Sequence, residues 1–194
     1  EEIPFRRAPL SSYLPTSRLH FGDKTGMVEI WHPNERKYAG FLDMQEYPQF
    51  SEPGMNNGIL YGDDEYIETQ SYSIYNKRDA LKALAKQKGH LIASEDAATR
   101  EIEQMDQAAE DLQSGLIDLG EYHYTVAIFG QTMNAVAKSM AETRAMFQDG
   151  SGFKMSPVDV IPECAWYAQI PGNWSLRPRE ATITSRNFVC LSPF

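Results

Sequence analysis

Residues 122–129 alternate without interruption: Tyr122, Tyr124, Val126 and Ile128 fall on one face, His123, Thr125, Ala127 and Phe129 on the other, and Gly130 follows. Aromatic and β-branched residues at period two predict a strand. Residues 27–32 and 37–44 read as two more strands, joined at His32-Pro33-Asn34-Glu35, where proline and asparagine favour a turn. Such a hairpin sets Val28 and Ile30 on one face and Trp31 on the other. Residues 66–75 place Ile67, Thr69, Ser71 and Ser73 opposite Tyr66, Glu68, Gln70, Tyr72 and Ile74, a half-exposed strand. Residues 153–158 return as another.

Between these strands the period changes to that of a helix. Asn76 can cap a first helix with Leu81, Leu84 and Ala85 on its stripe and Gly89 closing it. Ser94 can cap a second, on which Ala98, Ile102, Met105, Ala109, Leu112 and Leu116 recur at alternating spacings of four and three. A third, over 132–148, aligns Val136, Met140, Thr143 and Phe147, with Met133 and Ala137 beside them, and stops at Asp149-Gly150-Ser151-Gly152. Strand, helix pair, strand, helix, strand over 66–158 predicts an α+β fold. The expected form is a two-layer sandwich, a mostly antiparallel mixed sheet with helices on one face, and a ferredoxin-like arrangement is favoured. Residues 1–160 are expected to form this domain, with an extended lead-in and β-rich part over 1–60 and the β-αα-β-α-β part over 61–160. Prolines 4, 9 and 15 keep the lead-in extended, and Asn57-Gly58 marks a tight turn in the break before residue 66.

Charge narrows the function. Lys plus Arg number 18 against 27 Asp plus Glu, a net charge of −9. Phosphate contacts need clustered cations, so nucleic acid is not the expected partner. The charges are also sorted. The first helix carries Lys77, Arg78, Lys82, Lys86 and Lys88, and the second Glu95, Asp96, Glu101, Glu103, Asp106, Glu110 and Asp111. Either the two helices attract each other, or the acidic one docks a basic partner. No run approaches the 18 or so apolar residues of a membrane span. EEIPFRRAPL is not a signal peptide, and Cys164 and Cys190 have neither metal-ligand nor disulfide-framework spacing, which fits a reducing cytoplasmic compartment.

Candidate chemistry is sparse. Gly22-Asp23-Lys24-Thr25 and Gly150-Ser151-Gly152-Phe153-Lys154 both miss the phosphate-loop pattern, which requires contiguous Gly-Lys-Ser/Thr. Asp63-Asp64-Glu65 reads as a solvated turn, and His20, His32, His90 and His123 are scattered. No Gly-x-Ser-x-Gly turn is present, and neither cysteine has a neighbour that would activate it. No catalytic, cofactor-binding or metal set is expected in these residues. An alternative from another class is a single-stranded nucleic-acid module that stacks bases on Tyr66, Tyr72, Tyr122 and Tyr124.

The most distinctive stretch is the last, residues 161–194. It holds Ala165-Trp166-Tyr167-Ala168-Gln169-Ile170-Pro171-Gly172-Asn173, then Arg177-Pro178-Arg179, then Thr184-Ser185-Arg186-Asn187-Phe188, then Pro193-Phe194. In order and spacing this resembles the segment that precedes the motor domain in the CagE/TrbE/VirB family of type IV secretion ATPases. The resemblance implies an N-terminal domain for interaction and oligomerisation, with the motor, its phosphate loop, ATP and magnesium lying beyond residue 194. It implies contacts with other copies and with inner-membrane secretion subunits, membrane association only through those partners, and a cytoplasmic, peripheral location. It singles out Trp166, Gln169, Pro171, Gly172, Asn173, Arg177, Pro178, Arg179, Thr184, Ser185 and Asn187 as motif or coupling candidates. Prolines 171, 178 and 193 predict an ordered, mostly non-helical strap, anchored by Trp166, Tyr167 and Trp174. Thr182, Ile183 and Thr184 predict a short strand that starts the motor's own sheet. Two arginines around a proline suit a carboxylate or phosphate. They either sense nucleotide in a neighbouring motor or pair with acidic residues of their own domain.

Overall fold

Residues 119–130 are buried on both faces and form the longest strand of a seven-stranded sheet. In chain order the strands are β1 (Arg18–Phe21), β2 (Val28–Trp31), β3 (Arg36–Glu46), β4 (Glu65–Ile74), β5 (Leu119–Gly130), β6 (Lys154–Pro157) and β7 (Ala181–Thr184). The helices are α1 (Lys77–Ala93), α2 (Thr99–Ser114), α3 (Met133–Ser151), α4 (Pro162–Ala168) and α5 (Ser185–Leu191). This computed structural model describes residues 17–22, 25–48, 50–93 and 99–192. The lead-in before Ser17, Lys24, the proposed cap Ser94, the stripe residue Ala98, the side chain of Trp174 and the final Pro193-Phe194 lie outside the described residues.

All strand pairs are antiparallel, in the order β1-β2-β3-β5-β4. The two long strands each have one edge shared by two shorter ones. Along β3, β2 occupies the N-terminal end and β6 lies opposite Leu42 to Glu46. Along β5, β3 runs opposite Thr125 to Gly130, and β7 takes Leu119 to Tyr122. Strands β3, β4, β5 and β6 therefore lie side by side as fourth, first, third, second, the ferredoxin-like order expected from the alternation of periods. Two features modify it. The β3-to-β4 crossover carries only a 3-10 turn at Asn57–Tyr61 where a helix would normally stand, and the α1–α2 hairpin is inserted between β4 and β5.

Alternation along the strands sorts the core into two faces. On one, Leu42, Met44, Tyr122, Tyr124, Val126 and Ile128 pack under Phe147 of α3, with Ile59 of the crossover and Leu191 of α5. On the other, Val28, Ile30, Ala39, Phe41 and Ala127 meet Ala165 of α4. The expected stripe on α3 is the one buried: Val136, Thr143 and Phe147 face the sheet, and Met140 packs beside them. Thr132 caps this helix by accepting from the Ala135 amide at 3.2 Å, and Gly152, at φ 74°, ends it in the left-handed conformation that favours glycine. Gly40 lets α3 come close, since a Cβ there would collide with Met140 Sδ.

The α1–α2 hairpin departs from its sequence reading at the ends. Helix α1 passes through Gly89 to Ala93, because a glycine inside a helix costs only about 1 kcal/mol against alanine. Helix α2 stops at Ser114 with Gly115 at φ 78°, so Leu116 is 71% exposed rather than on the buried stripe. Among the described residues of that stripe Leu112 alone is buried, against Ala80, Leu84, Ile117 and Leu119 at the hairpin's root. Part of the charge sorting is used internally. Lys88 Nζ meets Asp106 Oδ1 at 2.5 Å, and Lys77 Nζ donates to the Gln113 carbonyl at 2.6 Å.

Candidate functional site

The motif stretch begins with α4, which has Pro162 in its first turn, where the missing N–H costs no hydrogen bond. Pro162, Ala165 and Ala168 are its buried side, and Trp166 meets Phe41 edge-on at 6.2 Å between ring centroids. The next motif residues end the helix. Gln169 Nε2 donates to the Trp166 carbonyl at 3.3 Å and Asn173 Nδ2 to the Tyr167 carbonyl at 3.0 Å, while the Asn173 amide donates to Ile170 O. Pro171 cannot continue the helix, and Gly172 at φ 86° supplies the left-handed turn. Gln169, Pro171, Gly172 and Asn173 then line a cavity of about 170 Å³ together with Ser71 of β4 and Arg177.

The two arginines that flank Pro178 do different things. Arg177 has only 5% of its side chain exposed. Its Nη2 reaches Glu121 Oε2 at 2.8 Å and Glu180 Oε1 at 3.1 Å, and Nη1 donates to Ser71 Oγ at 3.3 Å. The guanidinium fork thus ties three segments together, β4, β5 and the residues just before β7. Arg179 is 39% exposed and places Nη1 3.6 Å from Oδ2 of Asp43, which is fully buried. Desolvation pushes the Asp43 carboxyl up to about 7, against the opposing pull of Arg179 and of donors from the Met44 amide and Thr125. Beside it His123 Nε2 lies 3.7 Å from Asp43 Oδ1 and 2.7 Å from Thr125 Oγ1. Burial, with Arg177 nearby, lowers His123 to about 4, so at neutral pH the imidazole is uncharged. Asp43, Thr125 and His123 are a sealed polar cluster inside the sheet, with no exposed surface of their own. At 3.7 Å the acid and the imidazole are too far apart for a direct hydrogen bond, and burial denies them a substrate.

The third motif pins α5. Thr184 is its N-cap, accepting from the Asn187 amide at 3.2 Å, and the Thr184 hydroxyl donates to Asn187 Oδ1. Ser185 binds Asp118 in both directions, its amide donating to Asp118 O at 2.8 Å and its Oγ accepting from the Asp118 amide at 3.0 Å. So held, α5 stacks Phe188 on Tyr72 with ring centroids 4.7 Å apart and planes 8° from parallel. At its end the Leu191 carbonyl accepts from Asn56 Nδ2 at 2.8 Å.

Several expectations change. The final stretch is not free of helix: α4 and α5, seven residues each, form within it, with Pro162 in the first turn of α4 and Pro171 and Pro178 between the two helices. Strand β7 pairs with β5 of this same sheet instead of starting another one. Of the two readings of the arginines, pairing with the domain's own carboxylates is the one the distances bear out. The tyrosine platform for nucleic acid is lost as well. Tyr122 and Tyr124 are 0% exposed, and Tyr72 is already stacked on Phe188. The sequence reading treats His123 as one of four scattered histidines and does not bring it together with Thr125 and Asp43. A signal was present, since Asp43 interrupts Phe41-Leu42-Asp43-Met44 and His123 sits in a strand apolar on both faces. Among the described residues no group of three or more His, Cys, Asp or Glu is placed to hold a metal.

Residues 1–179 match the model of the CagE, TrbE, VirB family, described as a component of the type IV transporter system. The match includes Trp166 to Arg179, while Thr184, Ser185 and Asn187 lie beyond it. The chain is similar to a type IV secretion system protein PtlC homolog of Bordetella bronchiseptica, 39% identical over 186 residues, covering 96% of this chain and 22% of that protein. Similar proteins named virB4 occur in Bartonella henselae, at 37% identity, and in Brucella abortus biovar 1, at 39%. Both alignments cover 100% of this chain, and 24% and 23% of the relative. The chain thus spans roughly a quarter of the length of the relatives it matches.

Proposed function

The chain belongs to the CagE, TrbE, VirB family of type IV transporter components, and on that premise we propose that it is the non-catalytic interaction domain preceding the motor of a type IV secretion ATPase. One observation carries the reading. The motif residues are spent on fixing 162–191 to the sheet: Arg177 on β4 and β5, β7 along β5, and Ser185 on Asp118. A segment built this way passes rigid-body movement from the domain to whatever is joined to it. ATP hydrolysis, with its nucleotide and magnesium, belongs in this reading to the part of the relatives that the chain does not span. The domain's partners are other copies and inner-membrane subunits, and it sits peripherally at the membrane through them. No helix among the described residues is long and apolar enough to cross a membrane.

The deciding experiment is an intact protein carrying Arg177→Ala and Arg179→Ala, assayed for ATP turnover and for secretion. Coupling through this segment predicts that secretion is lost while turnover is retained. If both activities stay at wild-type level, the segment is only a tether and the reading fails. The 194-residue chain alone is expected to show no saturable ATP binding by calorimetry, and binding that disappears on changing Lys24 would overturn that expectation.

A further inference from the structure

A second feature lies on the α3 side of the sheet, away from the motif residues. The crossover from β3 to β4 does not close fully against α3, and a cavity of about 260 Å³ opens between them. Its floor is apolar, made by Ile59, Val126 and Met146, and its rim carries three carboxylates, Asp63, Asp64 and Glu142. Asp64 is held in place by Ser139 Oγ, which donates to Oδ1 at 2.6 Å. Neither Asp63 nor Asp64 is paired with a cation among the described residues. Among the described residues Glu142 meets Lys138, at 3.6 Å in an exposed i,i+4 pair that contributes little. Leu60 and Tyr61, next to the floor in sequence, are 48% and 84% exposed.

Size and charge together define the occupant. The cavity is smaller than the roughly 300–1,000 Å³ of ordinary small-molecule sites, so it suits one side chain better than a metabolite. An apolar floor below carboxylates matches lysine or arginine, whose hydrocarbon stem lies on apolar surface while its head stays polar. Cytoplasmic segments beside membrane spans are enriched in these two residues, and this chain, at net charge −9, attracts them over distance. We propose that the cavity receives a lysine or arginine from a cationic, amphipathic juxtamembrane segment of a membrane-anchored partner. The stem lies on Ile59, Val126 and Met146, the head between Asp63, Asp64 and Glu142. This rests on the functional reading above, in which the domain docks on inner-membrane subunits. The acidic face of α2 competes for the same partner by charge but offers no apolar floor, and one of its carboxylates already holds Lys88.

The test is a methyl-resolved NMR titration of the 194-residue chain with a short, capped synthetic peptide alternating leucine with lysine and arginine. The expected result is a saturable shift at Ile59, Val126 and Met146 that weakens with added salt. Affinity should fall at least about tenfold for Asp63→Asn with Asp64→Asn, and fall measurably for Glu142→Gln on the exposed surface of α3. The glutamate counterpart of the peptide should not bind. A dispersed methyl spectrum of each free variant shows that it folds, and Glu142→Gln carries the test should the double variant not. Shifts confined to α2, unchanged affinity in the folded variants, or no saturation at all would each overturn the proposal. The arginine variants do not touch this cavity. A failed titration beside an intact coupling phenotype would therefore sink the cavity proposal alone, and the reverse result would sink the functional reading.

Discussion

Burial drives Asp43 and His123 in opposite directions, and the consequence is a pH dependence that each hides in the other. Asp43 titrates at about 7 in the folded chain against 3.8 when unfolded. The fold binds this proton more tightly, so the carboxyl's stabilising contribution is complete below about pH 3.8 and is lost as pH rises through 7. His123, lowered from 6.5 to about 4, stabilises the fold above pH 6.5 and loses that contribution as pH falls through 4. Over the shared window the two slopes oppose each other. Asp43→Asn is therefore expected to lose stability relative to wild type as pH is lowered from 7 to 4.5, read as urea midpoints. A difference that does not change with pH would contradict this. Arg177→Ala leaves two carboxylates without their cation and should cost about 1.5–3 kcal/mol, the worth of hydrogen bonds to charged groups. Arg177→Lys, which keeps the charge but not the fork, should recover part of it, and equal melting of all three chains would disprove the role. At this scale the sequence made the motif residues recognisable but not their partners. Glu121 and Asp43 are far from Arg177 and Arg179 in the chain, and only Glu180, three residues after Arg177, marks a partner locally.

At the scale of elements, the strands of the ferredoxin-like unit were legible because period two is short and β5 repeats it from Tyr122 to Phe129. Helix ends were not. Gly89 reads as the stop of α1 and is none, while α2 ends just before Gly115, short of Leu116, since propensity at one residue is weak beside the packing of Leu84, Leu112 and Leu119 at the hairpin's root. That packing is confined to the root, so the hairpin should not be uniformly stable. Leu112→Ala is expected to cost about 2–5 kcal/mol, and Ile102→Ala, half-buried further out, no more than about 1 kcal/mol. Comparable shifts in denaturation midpoint for both would mean that the outer part is as tightly packed as the root. Helix α5 is short and depends on its cap. Thr184→Ala should cost about 0.5–2 kcal/mol and speed amide exchange in 185–191.

For the whole molecule, the ferredoxin-like order follows from the alternation of strand and helix periods, but the place of residues 162–191 does not. Short, proline-punctuated segments carry too little periodicity to reveal that α4 covers one face of the sheet while β7 and α5 belong to the edge and the opposite face. Removing residues 181–192 is expected to uncover Tyr72, Tyr122 and Leu119 and to abolish cooperative unfolding. A truncated chain that melts like the full one would refute that interlock. The pairing of β7 with β5 also bears on synthesis. A ribosome delivers β5 some sixty residues before its partner, because Leu119 pairs with Thr184. Until then one edge of the central strand stays open beside uncovered tyrosines, and Asn56 waits for a carbonyl at Leu191. Early sheet pairing can begin, but the last bonds close only when the chain has emerged almost to residue 192, so a stall before that point leaves an adhesive nascent chain.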